Sequence, residues 1–261
     1  MQVRIFQVDA FTTKRFAGNP AAVMLMDRFP ADLVMQSIAD ENNLAETAFI
    51  VPEKDNYQIR WFTPKVEVPL CGHATLASAA VVMERLEIGR REVVFHSRSG
   101  PLPVTRTDAG YVLNFPSRPS SRVSGPVGLT AALGAEPLEV YGNTFNYMAI
   151  LKDEATVRTL NPDFAAIAAY DRPGVIVTAA GSGGIDFVSR YFAPAKGIPE
   201  DPVTGAAHTM LAPYWANRLA KTEFRAFQAS RRGGEVNCHI MGDRVLLQGG
   251  AVFYMEGTAE I

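Results

Sequence analysis

The 261-residue chain is 48% hydrophobic and 20% charged, the profile of a soluble globular protein with enough apolar surface for one large core or two ordinary ones. A formal net charge of −2 provides no electrostatic footprint for nucleic acid or an anionic membrane. Two cysteines, Cys71 and Cys238, rule out a disulfide framework and a C-x-x-C pair.

The N-terminal MQVRIFQVDAF alternates like a strand rather than leading into a signal core, and no apolar run reaches the ~18 residues of a membrane span, so a cytoplasmic protein is expected. A first strand over 3–8 breaks at FAGNP (16–20), and 21–26 reads as its hairpin partner. Pro30 opens a helical pattern that Asn42-Asn43 should stop. Strands are expected at 44–51 and 57–62, then an alanine-rich helix from Gly72 to near Gly89. Strands at 92–96, 102–106 and 111–115 complete a first half, 1–117, and SRPSSRVSGP (117–126) reads as a linker. In the second half, 118–261, strands are expected near 145–151 and 174–179, with helical patterns over 153–169 and a strand ending at Phe192. A helix beginning after Gly205 runs towards Leu219, with Pro213 expected to kink or interrupt it. Strands at 235–240, 243–248 and 251–255 close the chain.

The segment RWFTPKVEVPLCGHAT (60–75) has a cousin in RYFAPAKGIPEDPVTGAAH (190–208). Arg60 and Arg190, Pro64 and Pro194, and Pro69 and Pro199 are each 130 residues apart, half the chain, which indicates a duplicated mixed α/β unit. Three extra residues precede Gly205 relative to Gly72, and Glu200-Asp201-Pro202 is read as peculiar to the second copy. Two such halves facing each other would create a cleft suited to a ligand.

Each copy passes into a helix of tiny first residues, Gly72-His73-Ala74 and Gly205-Ala206-Ala207. Free N–H groups and the helix dipole favour an anion there; ordinary close helix packing uses the same residues. Glu46, in the apolar run NLAETAFIV, has two readings. It is an acid/base group whose neutral form is favoured by lost hydration, or a strand-mouth glutamate that reaches solvent. Asp201 is a turn former or a second acid/base group, and His73 a proton carrier or a cap. His96, His208 and His239 show no metal-ligand spacing, and no motif points to a nucleotide or a metal.

Taken together, FAGNPAAV (16–23), NNLAETAFI (42–50), RWFTPKVEVPLCGHATLA (60–77), EDPVTGAAH (200–208), SRRGGEV (230–236) and GDRVLLQGGAVFYMEG (242–257) resemble the phenazine-biosynthesis PhzF-like family. The resemblance implies an α+β fold of two pseudo-symmetric halves, each a curved, mostly antiparallel sheet around a central helix, as in diaminopimelate epimerase. It further implies an isomerase without cofactor or metal that acts in the cleft on a small carboxylate-bearing, possibly cyclic substrate, and frequently a homodimer. Carried over by motif, Glu46 would be the catalytic acid/base. Gly72, His73, Asp201, Gly205 and Ala206 would bind substrate. The family pattern has serine where this chain has Ala45 and Ala206, which points to a different substrate. Cys71 stands where racemases of this fold keep one of two catalytic cysteines, which leaves a one-thiol racemase as an alternative; Ala45 and Ala206 leave a second, a non-catalytic binding protein.

Overall fold

The computed structural model describes residues 1–261, and the chain separates into two compact units. The first comprises Met1–Asn114 with Leu247–Ile261, and the second Phe115–Leu246. The division expected at 117 is close, but the C-terminal segment does not stay with the second half as expected. The reason is strand pairing: Ala251–Glu260 runs antiparallel to the N-terminal strand, from Gln2↔Glu260 to Ala10↔Ala251.

In the first unit, β1 (Gln2–Ala10) and β2 (Asn19–Leu25) form the expected antiparallel pair. α1 (Asp32–Asn42) ends where Asn43 turns left-handed, φ 46°, as the Asn42-Asn43 pair suggested. β3 (Glu46–Glu53) lies parallel to β2 and antiparallel to β4 (Asn56–Phe62), to which the short β5 (Glu67–Val68) is attached. α2 (Gly72–Val81) follows, then a wide five-residue π turn, Val82–Leu86, where a continuous helix to Gly89 was expected. β6 (Glu92–Ser97) pairs parallel with β4, and β7 (Gly100–Thr107) and β8 (Gly110–Pro116) complete the sheet. Every α2 residue after Gly72 is buried, against β1, β2, β3 and the C-terminal strand. Its alanines explain how a sheet can close around it: small side chains let strands approach on all sides.

The second unit repeats this wiring. β9 (Ser121–Arg122) lies within the expected linker and pairs with β10 (Glu139–Gly142), after α3 (Leu129–Leu133). β11 (Asn146–Ile150) is antiparallel to β10 and parallel to β12 (Gly174–Ala180). The helical stretch between them is split into α4 (Glu154–Thr159) and α5 (Phe164–Ala168), each capped by an aspartate, Asp153 or Asp163. β13 (Phe187–Ala193) carries the short β14 (Ile198–Asp201). The central helix α6 (Gly205–Leu219) leads to β15 (Glu223–Gln228), which is parallel to β13 and antiparallel to β16 (Gly234–Met241). β17 (Arg244–Gly249) and β18 (Ala251–Glu260) end the chain. Thus β10–β17 with α6 correspond in order to β1–β8 with α2.

α6 runs on through Pro213, so the interruption that was one of the two expected outcomes is absent. Proline frees the carbonyl four residues earlier. Here that carbonyl, of Thr209, accepts a hydrogen bond from the Arg118 N–H at 3.0 Å.

Candidate active site

The repeated arginines build the same support twice. Arg60 on β4 donates through Nε and Nη2 to both carboxylate oxygens of Glu67 on β5, at 2.8 and 2.7 Å. Arg190 on β13 grips Glu200 on β14 in the same way, at 2.7 and 2.9 Å. Each guanidinium also lies over the phenylalanine two residues on, Phe62 at 5.2 Å and Phe192 at 5.0 Å. These two-pronged bonds anchor the short strand that delivers each central helix. They also correct the alignment of the two copies. Val68 pairs with Trp61 and Asp201 with Tyr191, so beyond the short turn the copies match 133 residues apart. Glu200 is therefore the counterpart of Glu67 and Pro202 of Pro69, leaving only Asp201, in place of Val68, peculiar to the second copy.

In the first unit the structure brings Glu46, Cys71 and His73 together, with potential ligand atoms within 4.8 Å of one another. Glu46 opens β3, where parallel pairing sets it beside Ala21 of β2. Cys71 caps α2 in an extended conformation, and His73 is the second residue of that helix. All three are at most 9% exposed. Glu46 Oε2 lies 3.1 Å from His73 Nε2, but the approach is bent, so neither atom has an aligned hydrogen bond. The pair is a close charge contact that leaves lone pair and proton direction to spare. On the other side of the ring, His73 Nδ1 is 3.1 Å from the Asn19 amide nitrogen and 3.5 Å from the Cys71 sulfur.

Burial alone pulls the His73 pKa down, but Cys71 and the Glu46 carboxylate reverse that and hold it well above the usual histidine value. Burial pushes the Cys71 thiol up to about 11, assisted by Glu46 and opposed by His73. A carboxylate, a thiol and an imidazole this close together can hold and pass protons among themselves.

In the second unit Asp201, also 9% exposed, accepts from Thr204 Oγ1 at 2.5 Å. Sequence reasoning missed the residue that organises this corner. Gln228, fully buried at the end of β15, donates to the Asp201 carbonyl at 2.8 Å and to Thr204 Oγ1 at 3.2 Å. Its Oε1 accepts from the Thr204 N–H at 2.8 Å. No local pattern in FRAFQ marks Gln228; only the parallel pairing of β13 with β15 places it there. Asn19 was also missed as a site residue, although it lies in the quoted FAGNP. Gly205 is buried and Ala206 exposed in the first turn of α6. His208, one turn on, donates through Nδ1 to the Thr204 carbonyl at 2.9 Å, and its complete burial lowers its pKa to about 4. A surface cavity lined by Tyr141, Tyr214 and Arg218 also lies in this unit and contains none of the candidate residues.

Comparison with known proteins agrees with this architecture. The family described as phenazine biosynthesis-like protein matches residues 8–257. The chain is 51% identical over 261 residues, all of both chains, to an uncharacterized isomerase of Pseudomonas aeruginosa. A crystal structure of a PhzF-family phenazine biosynthesis protein from Enterococcus faecalis superposes with a TM-score of 0.96 at 45% identity, covering 100% of each chain. A Pseudomonas aeruginosa structure described as a predicted epimerase has a TM-score of 0.74 at 19% identity over 99% of both chains, a likeness of fold alone. The expected α+β, epimerase-like fold is therefore observed, and no helix is long and apolar enough to cross a membrane. The chain belongs to the phenazine biosynthesis-like protein family.

Proposed function

We propose that the protein is an isomerase that moves a proton within a small carboxylate-bearing substrate, with Glu46 as general base and then acid. The observation that carries this reading is the Glu46–His73 contact: a buried carboxylate 3.1 Å from a buried imidazole, with neither atom engaged in an aligned hydrogen bond. The relatives named as isomerases support the reaction class.

In this scheme the Glu46 carboxylate takes a proton from a substrate carbon, and the electron pair spreads into the adjacent conjugated system. The protonated Glu46 then returns the proton at a second carbon, so no atom is gained or lost. His73 holds the Glu46 carboxyl group in place and steadies its charge before the first step and after the second. The free N–H groups of Gly72 and His73 at the start of α2 suit the substrate carboxylate. In the second unit, Asp201 and the Gly205-Ala206 helix start are polar groups suited to recognition of a ligand. Nothing in the scheme requires a cofactor or a metal.

A racemase built on Cys71 is the weaker reading. Its thiol is pushed up to about 11, and the counterpart of Cys71 at the start of α6 is Thr204, not a second cysteine. Replacing Glu46 by Gln keeps shape and removes the base. The expected loss in kcat is about 10²–10⁴-fold in a protein that still folds. Full turnover by a folded E46Q enzyme would overturn the assignment.

A further inference from the structure

We propose that Asn19 is a positioning residue that selects the Nε2-protonated tautomer of the neutral His73 ring, keeping a proton on the side of Glu46 and leaving Nδ1 as an acceptor whenever the ring is neutral. The inference rests on the acid/base role of Glu46 proposed above and extends it to Asn19, which meets His73 on the opposite edge of the ring from Glu46.

The argument begins with the backbone. β1 turns back into β2 through a loop in which Phe11 and Phe16 both adopt positive φ, 60° and 69°. Left-handed backbone at two bulky residues is held only when the surroundings over-determine it. Gly18, at φ +66°, makes the last step, and a Cβ there would collide with the carbonyl oxygen of Ala10. The loop is tied down by the Phe16 N–H, which donates to buried Asp9 at 2.9 Å. What this costly turn delivers is Asn19, the first residue of β2, completely buried.

Its amide nitrogen lies 3.1 Å from His73 Nδ1. An amide N–H can only donate, so it is satisfied by an imidazole nitrogen that carries no proton. The remaining ring proton then sits on Nε2, which lies 3.1 Å from Glu46 Oε2. Amide and carboxylate thus favour the same tautomer from opposite edges of the ring. The titratable groups facing the ring are Glu46 from β3 and Cys71 from the helix cap. Asp9, on β1, is engaged with the Phe16 N–H. A histidine so oriented presents one fixed hydrogen-bond direction to the catalytic carboxylate, the role that the partner of a ring nitrogen plays in other acid/base sites.

The test uses the full-length protein labelled with ¹⁵N-histidine, the His73 signals being assigned by their loss in a His73→Gln protein. At the alkaline end of the titration, the expected spectrum has an unprotonated Nδ1 and a protonated Nε2. Asn19→Asp preserves size but can only accept a proton at Nδ1, so it should raise the midpoint of the His73 titration by about one pH unit or more. It should also lower kcat about tenfold at the wild-type optimum, with little change in KM. A proton found on Nδ1 at the alkaline end of the wild-type titration, or an unshifted His73 titration in a folded Asn19→Asp protein, would overturn the proposal. Because the ring is read directly, this result stands apart from activity: an inactive Glu46→Gln enzyme bears on the reaction, and the tautomer bears on Asn19.

Discussion

The starts of α2 and α6 are the same scaffold carrying different chemistry. Each follows a short strand clamped by an arginine–glutamate fork, and each has a residue four positions on that hydrogen-bonds back to the cap carbonyl. Thr75 donates to Cys71 O in the first unit, and His208 to Thr204 O in the second. The contents diverge from there. Around α2, a carboxylate, a thiol and an imidazole crowd together with bent, incomplete hydrogen bonding. Around α6, one carboxylate sits in a neutral network in which Thr204 and Gln228 satisfy each other. The lesson is that duplication preserved the support and released the positions it supports. The copy whose carboxylate lacks an aligned hydrogen bond at Oε2 is where proton chemistry belongs, and the copy whose carboxylate is held by Thr204 is suited to fixed recognition.

The largest difference should appear when the forks are cut. Arg190 also donates to the Val157 and Leu160 carbonyls, at 3.2 and 2.8 Å, so Arg190→Leu strands two backbone acceptors as well as Glu200. A loss of about 3–5 kcal/mol is expected, read from chemical denaturation. Arg60→Leu leaves Glu67 its second cation, Arg98, at 2.7 Å, and should cost about 1–2 kcal/mol. Equal losses would break the claim that the second fork also holds the end of α4.

The two helix histidines should give opposite pH signatures. The folded pKa of His208 is depressed to about 4 by burial, below the ~6.5 of an unfolded chain. Its neutral form is compatible with the fold above pH ~6.5, and stability falls as the unfolded chain takes up a proton between there and about 4, by about 3 kcal/mol. His73 is shifted upwards against its burial by Cys71 and Glu46, so its contribution is complete below ~6.5 and is lost as pH rises through the folded value. A His208→Gln protein should lose the acid slope and a His73→Gln protein the alkaline one. A wild-type stability curve flat across both ranges would contradict this pairing.

The smallest effect concerns Ala206, exposed in the first turn of α6. Ala206→Ser should change stability by no more than about 0.5 kcal/mol, while changing which substrates are accepted. An unaltered substrate range would remove Ala206 from the recognition surface.

Much of the site could be read from the sequence because its signals are local. The paired RWFTP and RYFAP segments marked equivalent strands, glycine with small residues marked both helix starts, and an isolated glutamate in an apolar run marked Glu46. What escaped depends on long-range pairing. Glu67 could not be matched to Glu200 without seeing Val68 and Asp201 at the same place beside β4 and β13. Asn19 and Gln228 have their partners 54 and 24 residues or more away, and no spacing rule connects them. The return of β18 to β1 joins the two chain ends across a separation no window could span. That α6 continues through Pro213 could not be read because the compensating donor, Arg118, lies outside the helix.

The central claim is that Glu46 exchanges a proton with carbon. Incubating the enzyme with small cyclic and aromatic carboxylic acids in D₂O, and reading mass, tests it most directly. The account predicts that at least one acid gains one mass unit with wild-type enzyme and none with folded E46Q protein. Incorporation that persists in E46Q, or binding detected by thermal shift with no incorporation into any bound acid, would contradict it.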